Sequence, residues 1–421
     1  MADTKETTES SSSSDLLRQA PPLPPDGGTQ AWIQVLCLHL LFFNTWGVTN
    51  SFGVFQQYYS ETLPQGASAI SWIGGVQVSL LFFVGVIAGR VTDAGYFRVI
   101  YVLGVLLQLI GVFLTSLCKN YWQVFLAHAV CLGLGNGCTF VPGLAITSSY
   151  FKRKRAIAVG IGAAGAGVGG LIYPVVVNQL LYKNPIGFPW TLRVVGFIML
   201  ATQLPCIFLY KPRLPPSRAG QLIDWSAFKE APYVFFTMSM FLNFWGLYFA
   251  FFYLGTFARD RIGVSESLNF IMVLNGVGII GRIVPSIIGD RVTGMMNIII
   301  PLSLAASLLV YCWAAVESVA GLYVFAAVYG FIAAALQSLF PAGATTMTPD
   351  PSKTGTRMGM IFTMVGLATL TGPAIQGELI HRDDGGYLYG QIFAATSILL
   401  GALAAVASRV AKTGWRLKVK A

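Results

Sequence analysis

The motif Phe140-Val-Pro142 has a counterpart 199 residues later, Leu339-Phe-Pro341, and this pair sets the register of an internal repeat. Two further pairs recur at nearly the same offset: Pro174 and Pro373 at 199 residues, and Asp93 and Asp290 at 197. An offset of nearly half the 421-residue chain indicates that one structural unit occurs twice.

Around these motifs the chain reads as twelve apolar stretches, each long enough to cross a bilayer as a helix. The predicted spans cover residues 31–54, 69–89, 99–117, 122–149, 155–181, 190–210, 232–257, 267–289, 297–315, 321–347, 354–379 and 387–408. Charged residues make up 10% of the chain and apolar types 55%, too few charges for the surface of a soluble globule. The sequence therefore predicts an all-α integral membrane protein with twelve transmembrane helices in two repeated six-helix halves.

The stretches between the spans predict the domain organisation. We expect a disordered cytoplasmic tail over residues 1–30, a first half over 31–210, a linker over 211–231, a second half over 232–408 and a short tail over 409–421. The linker is rich in proline and basic residues, which suits a surface tether better than a folded domain.

The distribution of basic residues predicts the orientation. Of the 27 Lys and Arg residues, twenty lie in the segments on the side of the termini and six in the connections on the other side. This bias places both termini in the cytoplasm, with the cell membrane as the expected location. It also accounts for the net charge of +10 without a nucleic-acid partner.

Repeated six-helix units are typical of secondary transporters, in which the substrate site lies between the halves. The chain has no G-x-x-x-x-G-K-[ST] loop for ATP, and its three histidines, His39, His128 and His381, lack the spacing of a metal-ligand set. We therefore expect a gradient-driven transporter, monomeric, without enzymatic activity and without a metal or other cofactor.

Arg282 is the clearest candidate for substrate binding. It stands eight residues before Asp290, about 12 Å inside span 8 at 1.5 Å per residue. A charged side chain at the bilayer centre costs at least about 2.5 kcal/mol, so such a residue usually has a function. An anionic or amphipathic small molecule would pair with it, although a structural tie to backbone carbonyls or to Asp290 is the alternative.

Further candidates for substrate binding are polar or aromatic residues in spans 1, 4, 7 and 10, which occupy matching places in their three-helix units. They are Asn50, Asn136, Asn243, Gln337, Trp245 and Tyr248. Each amide is as good a candidate for hydrogen bonding between helices as for substrate binding. The aromatic residues are also candidates for core packing. Pro174 and Pro373 are expected to bend spans 5 and 11 and so to assist gating.

Two motifs resemble the signatures of the monocarboxylate porter family within the major facilitator superfamily. They are Pro25-Asp-Gly-Gly28 before span 1 and Tyr150-Phe-Lys-Arg-Lys-Arg155 at the start of span 5. Thr354-Gly-Thr-Arg-Met-Gly359 further resembles the fungal branch, many of whose members are proposed exporters. The resemblance implies the major facilitator fold and efflux of a fungal secondary metabolite. Uptake of a monocarboxylate or vitamin is the alternative, and a non-transporting membrane sensor is an alternative of another class.

The same resemblance implies gating residues. Gly89, Asp93 and Arg98 partly match the superfamily loop that latches the two halves together, and the repeat extends this role to Asp290. Arg155, in the second signature, is a further gating candidate.

Two positions depart from the pattern of the family members that move lactate with a proton. Those members have a lysine in span 1 and an aspartate one turn before the arginine of span 8, where this chain has Asn50 and Gly278. The resemblance thus implies anion recognition by Arg282 without that proton-coupling pair, and proton coupling by other residues stays open.

Overall fold

The computed structural model describes residues 24–215, 223–264, 268–348 and 353–415, and the regular structure in these ranges is helical. Residues 1–23 and 416–421 of the predicted tails and residues 216–222 of the predicted linker lie outside the described residues. We number the membrane spans in chain order.

The first half contains spans 1 to 6, some of them built from consecutive segments. Span 1 comprises Thr29–Asn50 and Phe52–Thr62, span 2 Ala67–Val91, span 3 Phe97–Thr115, span 4 Tyr121–Val124, the π-helical Phe125–Cys131 and Leu132–Ser149, span 5 Arg155–Asn178 and the π-helical Gln179–Lys183, and span 6 Phe188–Leu209.

The second half contains spans 7 to 12. Span 7 is Ala231–Ile262, span 8 Leu268–Ile288 with the π-helical Gly289–Thr293, span 9 Met295–Trp313, span 10 Val319–Thr346, span 11 Thr354–Arg382 and span 12 Leu388–Thr413. A 3-10 turn, Trp225–Lys229, precedes span 7.

Eleven helices in the described residues are long and apolar enough to cross a membrane. One of them, residues 68–115, contains spans 2 and 3 joined by the π-helical Thr92–Tyr96. Gly95 breaks this helix with a φ of 95°, a left-handed conformation that favours glycine. The chain therefore reverses direction at Gly95, which resolves the eleven helices into the twelve predicted spans.

The helices of the two halves pack in corresponding ways. Span 2 packs against span 4 and span 3 against spans 4 and 6, while span 8 packs against span 10 and span 9 against spans 10 and 12. Between the halves, span 2 packs against span 11 and span 5 against span 8. These two inter-half contacts, which we call the seam, flank the space between the halves.

Small residues permit close approach of the helices. A Cβ atom at Gly47 of span 1 would lie 2.6 Å from the Cα of Gly169 in span 5, and a Cβ at Gly75 of span 2 would lie 3.0 Å from the carbonyl oxygen of Leu370 in span 11. Side chains at these positions would separate the helices. The glycines thus account for both the packing within a half and the seam between the halves.

One side of the bundle, which we call the linker side, contains residues 24–28, 150–154, 210–215 and 223–230. We call the opposite side the far side.

Residues 24–28, which were predicted as part of a disordered tail, are attached to the bundle on the linker side. The Asp26 carboxylate accepts hydrogen bonds from the backbone N–H groups of Lys152 at 2.5 Å and Arg153 at 2.8 Å. These bonds, that of Lys152 foremost, lower the pKa of Asp26. The two signature motifs, 125 residues apart in sequence, are therefore in direct contact.

The described end of the linker is tied to span 11. Arg357 donates through Nε to Asp224 at 2.9 Å and through both terminal nitrogens to Glu230, at 2.7 and 2.5 Å. A hydrogen bond from Ser226, together with Arg357 and Lys353, lowers the pKa of Asp224, and the bonds from Arg357 lower the pKa of Glu230. This part of the linker is thus a fixed attachment of the second half rather than a free tether.

Candidate functional site

A small cavity lies between the two halves. Residues from both halves line it: Phe42, Trp46, Phe140, Leu144, Val159, Ala163 and Ala166 from the first, and Phe244, Arg282, Gln337, Ser338, Phe340 and Pro341 from the second. Leu144, Val159 and Pro341 are within about six residues of the linker-side ends of their spans. The cavity therefore extends from the middle of the bundle toward the linker side.

Arg282 is the charged residue among those that line the cavity. It is 2% exposed, and its Nη1 donates to the carbonyl oxygen of Gly278 at 3.3 Å and its Nη2 to Oε1 of Gln337 at 3.0 Å. No carboxylate lies within ion-pair distance of Arg282 among the described side chains. A guanidinium has more N–H donors than these two bonds use, so among the described side chains Arg282 is a positive charge without a carboxylate partner.

Several buried polar atoms near the cavity have no hydrogen-bond partner in the described part of the chain. They are Nε1 of Trp46, both amide atoms of Asn50, the hydroxyl of Tyr248 and Nε2 of Gln337. Trp46 lines the cavity and its ring lies parallel to that of Tyr248, while Asn50 follows Trp46 by one helical turn. Leaving a buried polar group unpaired costs about 1–3 kcal/mol, so a cluster of such groups is typical of a ligand site.

Three of the residues predicted to bind substrate lie away from the cavity. Asn136 accepts a hydrogen bond from Gln108 at 2.9 Å, within a buried network that joins spans 3, 4 and 6. Asn243 donates to the carbonyl oxygen of Ser239 on its own helix at 2.9 Å and packs at Gly401 of span 12. Asn136 therefore joins helices within the first half, which is the alternative that the sequence left open, whereas Asn243 bonds to its own helix and packs against span 12.

Trp245, the third of these residues, is half-buried between spans 7, 11 and 12. Its indole N–H donates to Thr371 at 2.9 Å, and its ring packs edge-on against Phe393. The structure thus brings together Arg282 and Gln337 at the cavity, with Tyr248 and Asn50 beside it, and places the other three elsewhere. Sequence reasoning missed Trp46, although its spacing of four residues from Asn50 on span 1 was a usable signal.

The predicted gating residues lie in different settings. Asp93, Arg98 and Arg155 are exposed on the linker side, and Arg155 donates to the carbonyl oxygen of Phe151 in its own half at 3.2 Å. The side chain of Asp290 lies outside the described residues. Pro174 and Pro373 are buried within continuous helices, spans 5 and 11.

The far side of the seam is closed by hydrogen bonds that sequence reasoning missed. The Tyr253 hydroxyl of span 7 lies 2.5 Å from Oγ of Ser71 in span 2 and donates to the carbonyl oxygen of Pro373 in span 11 at 3.1 Å. Ser68 donates to the carbonyl oxygen of Ala374 at 3.3 Å. We call Ser68, Ser71, Tyr253, Pro373 and Ala374 the far-side gate. The Tyr253 hydroxyl thus contacts both Pro373 of its own half and Ser71 of span 2 in the other half.

Tyr253→Phe is expected to shift the protein toward a state that is open on the far side. The substitution removes the hydroxyl bond to Ser71, which joins span 7 to the first half, and a net loss of about 1 kcal/mol changes the equilibrium about fivefold. Spin labels at Thr62→Cys and Arg261→Cys, with the natural cysteines replaced, report the distance between the far ends of spans 1 and 7.

Tyr121→Phe is the matched control, because its hydroxyl donates to the carbonyl oxygen of Ala69 at 2.8 Å within the first half. The long-distance population should grow for Tyr253→Phe and not for Tyr121→Phe. Identical distance distributions for the two variants would exclude a gating role for Tyr253.

Twelve spans in two similarly packed halves, with a charged cavity between them, define a membrane transporter whose halves enclose the substrate site. Residues 37–373 match the sequence profile of the Major Facilitator Superfamily. The chain is 42% identical over 391 residues to an MFS-type transporter of Gibberella zeae, an alignment that covers 92% of this chain and 88% of that protein. The chain therefore belongs to the Major Facilitator Superfamily and is similar to its fungal MFS-type transporters.

Two further comparisons agree with this assignment. The chain is 35% identical over 390 residues to the aspyridones efflux protein apdF of Emericella nidulans, covering 92% of this chain and 79% of that protein. The crystal structure of the human organic anion transporter MFSD10 (TETRAN) superposes with a TM-score of 0.68 at 14% identity, over 91% of this chain and all of that one. The predicted fold is confirmed, as is the prediction that the protein is a transporter and not an enzyme.

Proposed function

We propose that this protein exports an organic anion, a fungal secondary metabolite, by alternating access. The observation that carries the proposal is the buried Arg282, which lies in the inter-half cavity without a carboxylate partner among the described side chains. The efflux role named for the relative apdF supports the direction of transport. The two signature motifs, in contact through Asp26, support membership of the monocarboxylate porter family.

An anionic substrate follows from the electrostatics of the cavity. A positive charge in a low-dielectric cavity is unfavourable unless it is compensated, so an anion gains from binding there. The guanidinium presents a planar fork of donors to a carboxylate or enolate, and Nε2 of Gln337 adds an unpaired donor next to it. We therefore assign the anionic end of the substrate to Arg282 and Gln337.

The remaining contacts of the substrate follow from the walls of the cavity. Phenylalanine rings from four different spans line it, and they favour an apolar, unsaturated body over a small hydrophilic acid. Tyr248 and Asn50 supply further polar contacts, whereas Asn136, Asn243 and Trp245 maintain helix packing. A substrate that touches both halves can be passed from one side to the other as the halves rock.

Orientation and coupling complete the proposal. The excess of Lys and Arg on the linker side supports a cytoplasmic location for that side and for both termini. We propose a monomer in the cell membrane. Since the fold has no ATP-binding domain in the described residues, a transmembrane gradient must supply the energy. We assign this role to a proton gradient.

Untargeted mass spectrometry of cells and medium, with and without the gene, tests the function. Export predicts that at least one anionic metabolite accumulates inside cells that lack the protein and decreases in their medium. Dissipating the proton gradient in cells that have the protein should reproduce this accumulation. A metabolite depleted inside and left in the medium would instead make the protein an uptake carrier, and unchanged metabolites on both sides would refute both functions.

A further inference from the structure

An ion pair joins the two halves on the far side of the bundle. Nη1 of Arg259, in the last turn of span 7, lies 3.4 Å from Oε1 of Glu61, in the last turn of span 1. Span 1 belongs to the first half and span 7 to the second, whereas the other ion pairs between described side chains stay within the second half and its attached linker. The bond between Arg259 and Glu61 cannot persist when the halves separate on this side.

Arg259 is shared between two carboxylates. Its Nε donates to Oδ1 of Asp260, the next residue on span 7, at 2.9 Å, which is shorter than the 3.4 Å to Glu61. Asp260 is itself held by the hydroxyl of Tyr387, just before span 12, which donates to Oδ2 at 3.0 Å. A guanidinium that loses Glu61 therefore keeps a carboxylate partner in its own half, and the bond to Glu61 can break without leaving Arg259 unpaired.

Glu61 likewise has partners in its own half. Nε2 of Gln57, one helical turn earlier, donates to Oε1 at 3.1 Å, and the hydroxyl of Tyr182 at the end of span 5 donates to Oε2 at 3.3 Å. The side chains of Arg259 and Glu61 are 39% and 43% exposed. An exposed pair of this kind changes an equilibrium by at most about fivefold. That amount biases the halves toward the closed arrangement without locking them there.

We propose that Arg259 is a conformational switch: it binds Glu61 of the other half when the far side is closed, and Asp260 alone when the far side is open. We call Glu61, Arg259 and Asp260 the far-side switch. Arg259 lies six residues after Tyr253 on span 7, about 9 Å nearer its far end at 1.5 Å per residue. The switch therefore acts at the solvated rim, outside the buried far-side gate, and it acts whichever molecule is carried and in either direction.

The two carboxylates compete for Arg259, so their removal should have opposite effects. Glu61→Gln removes the partner in the other half and should raise the ratio of far-side-open to far-side-closed protein about twofold to fivefold. Asp260→Asn removes the competitor within the second half, so Arg259 binds Glu61 more often and the ratio should fall. Both substitutions remove one negative charge from the same rim, so a general effect of surface charge would give shifts of the same sign.

Distances between spin labels on the full-length protein in lipid nanodiscs measure this ratio. Labels at Lys119→Cys and Glu317→Cys, with the natural cysteines replaced, stand just before spans 4 and 10, one in each half. Both positions are exposed. The measurement is made without cargo, so its result does not depend on the proposed substrate.

A double-mutant cycle and a control test the direct bond. Arg259→Gln should raise the open ratio about as much as Glu61→Gln, and the double variant should raise it no further, because either change removes the same bond. Glu378→Gln is the matched control, since Glu378 pairs with Arg382 at 2.9 Å within span 11 and is 42% exposed. This variant removes an equally exposed carboxylate within one half and should have the distance distribution of the wild type.

The outcomes distinguish the switch from the proposed function. Shifts of the same sign for Glu61→Gln and Asp260→Asn, or no shift in either, would overturn the switch. A double variant whose effect is the product of the two single effects would overturn it as well, because the two side chains would then act independently. Each of these results leaves anion export intact, which only the metabolite comparison can refute.

Discussion

Arg282→Gln should reduce transport of the anionic cargo by about tenfold to a hundredfold while the protein remains at normal abundance in the membrane. Arg282 lines the inter-half cavity, is 2% exposed and has no carboxylate partner among the described side chains. A hydrogen bond to a charged group contributes about 1.5–3 kcal/mol, and each 1.4 kcal/mol is a factor of ten. Glutamine retains part of the length and polarity of the arginine side chain, so the expected loss of transport reflects the loss of the positive charge.

Two related substitutions sharpen this prediction. Arg282→Lys retains the charge but not the planar fork of donors, and we expect intermediate transport. Gln337→Glu replaces the amide oxygen 3.0 Å from Nη2 by a carboxylate, which would neutralise Arg282 internally and should impair transport as strongly as Arg282→Gln. Arg382→Gln is the control for the loss of an arginine. Arg382 lies at the far end of span 11, and its side chain is 76% exposed.

The measurement is efflux of the identified metabolite from cells, normalised to the protein at the surface. Full transport by Arg282→Gln at equal abundance would remove Arg282 from the site and with it the argument for an anion. A loss that Arg382→Gln shares would indicate an effect on expression or folding instead.

Gly165→Ala should destabilise the protein markedly, whereas Gly160→Ala, five residues earlier on span 5, should not. An added Cβ at Gly165 would collide with the carbonyl oxygen of His39 in span 1, but at Gly160 the nearest atom, the carbonyl oxygen of Arg282, is 3.6 Å away. Overpacking of this kind typically costs about 1–3 kcal/mol. Alanine also favours a helix over glycine by about 1 kcal/mol, and this gain is common to both variants.

Thermal unfolding of both purified variants checks the prediction. We expect a melting temperature several degrees below the wild type for Gly165→Ala, with a lower yield of monodisperse protein, and a value at or above the wild type for Gly160→Ala. The hydrogen bond between Nδ1 of His39 and the carbonyl oxygen of Ile161, at 2.8 Å, reports on the same contact between spans 1 and 5. Equal melting temperatures for the two variants would show that span 1 moves aside without cost.

Much of the fold is readable from the sequence, because the properties that specify it are local in the chain. The length of an apolar run decides whether a helix crosses the membrane, and the balance of Lys and Arg predicts which side its ends occupy. The repeat offset of 199 residues relates the halves without any knowledge of contacts. Even the break between spans 2 and 3 has a local marker, Gly95, although its φ of 95° was not evident from the sequence.

The site was readable only in part. Arg282 stands out because a charge inside an apolar span is costly wherever the span lies. Asn50, Asn136 and Asn243 look equivalent in the sequence. Among the described residues, however, both amide atoms of Asn50 lack a hydrogen-bond partner, whereas one amide atom of Asn136 binds Gln108 and one of Asn243 binds Ser239. The difference lies in the rotation of each helix about its axis, which the packing of neighbouring spans sets.

The class of the protein follows from the amino-acid sequence: a twelve-span transporter in two repeated halves, with Arg282 inside an apolar span. Which residues meet depends on the packing of the helices: Trp46 contacts Tyr248, 202 positions away, and Tyr253 contacts Ser71, 182 positions away. Hydropathy and charge act on each segment separately, whereas a cavity and a gate depend on distances between segments. Those distances arise when helices pack, and small residues such as Gly165 set how closely they do so.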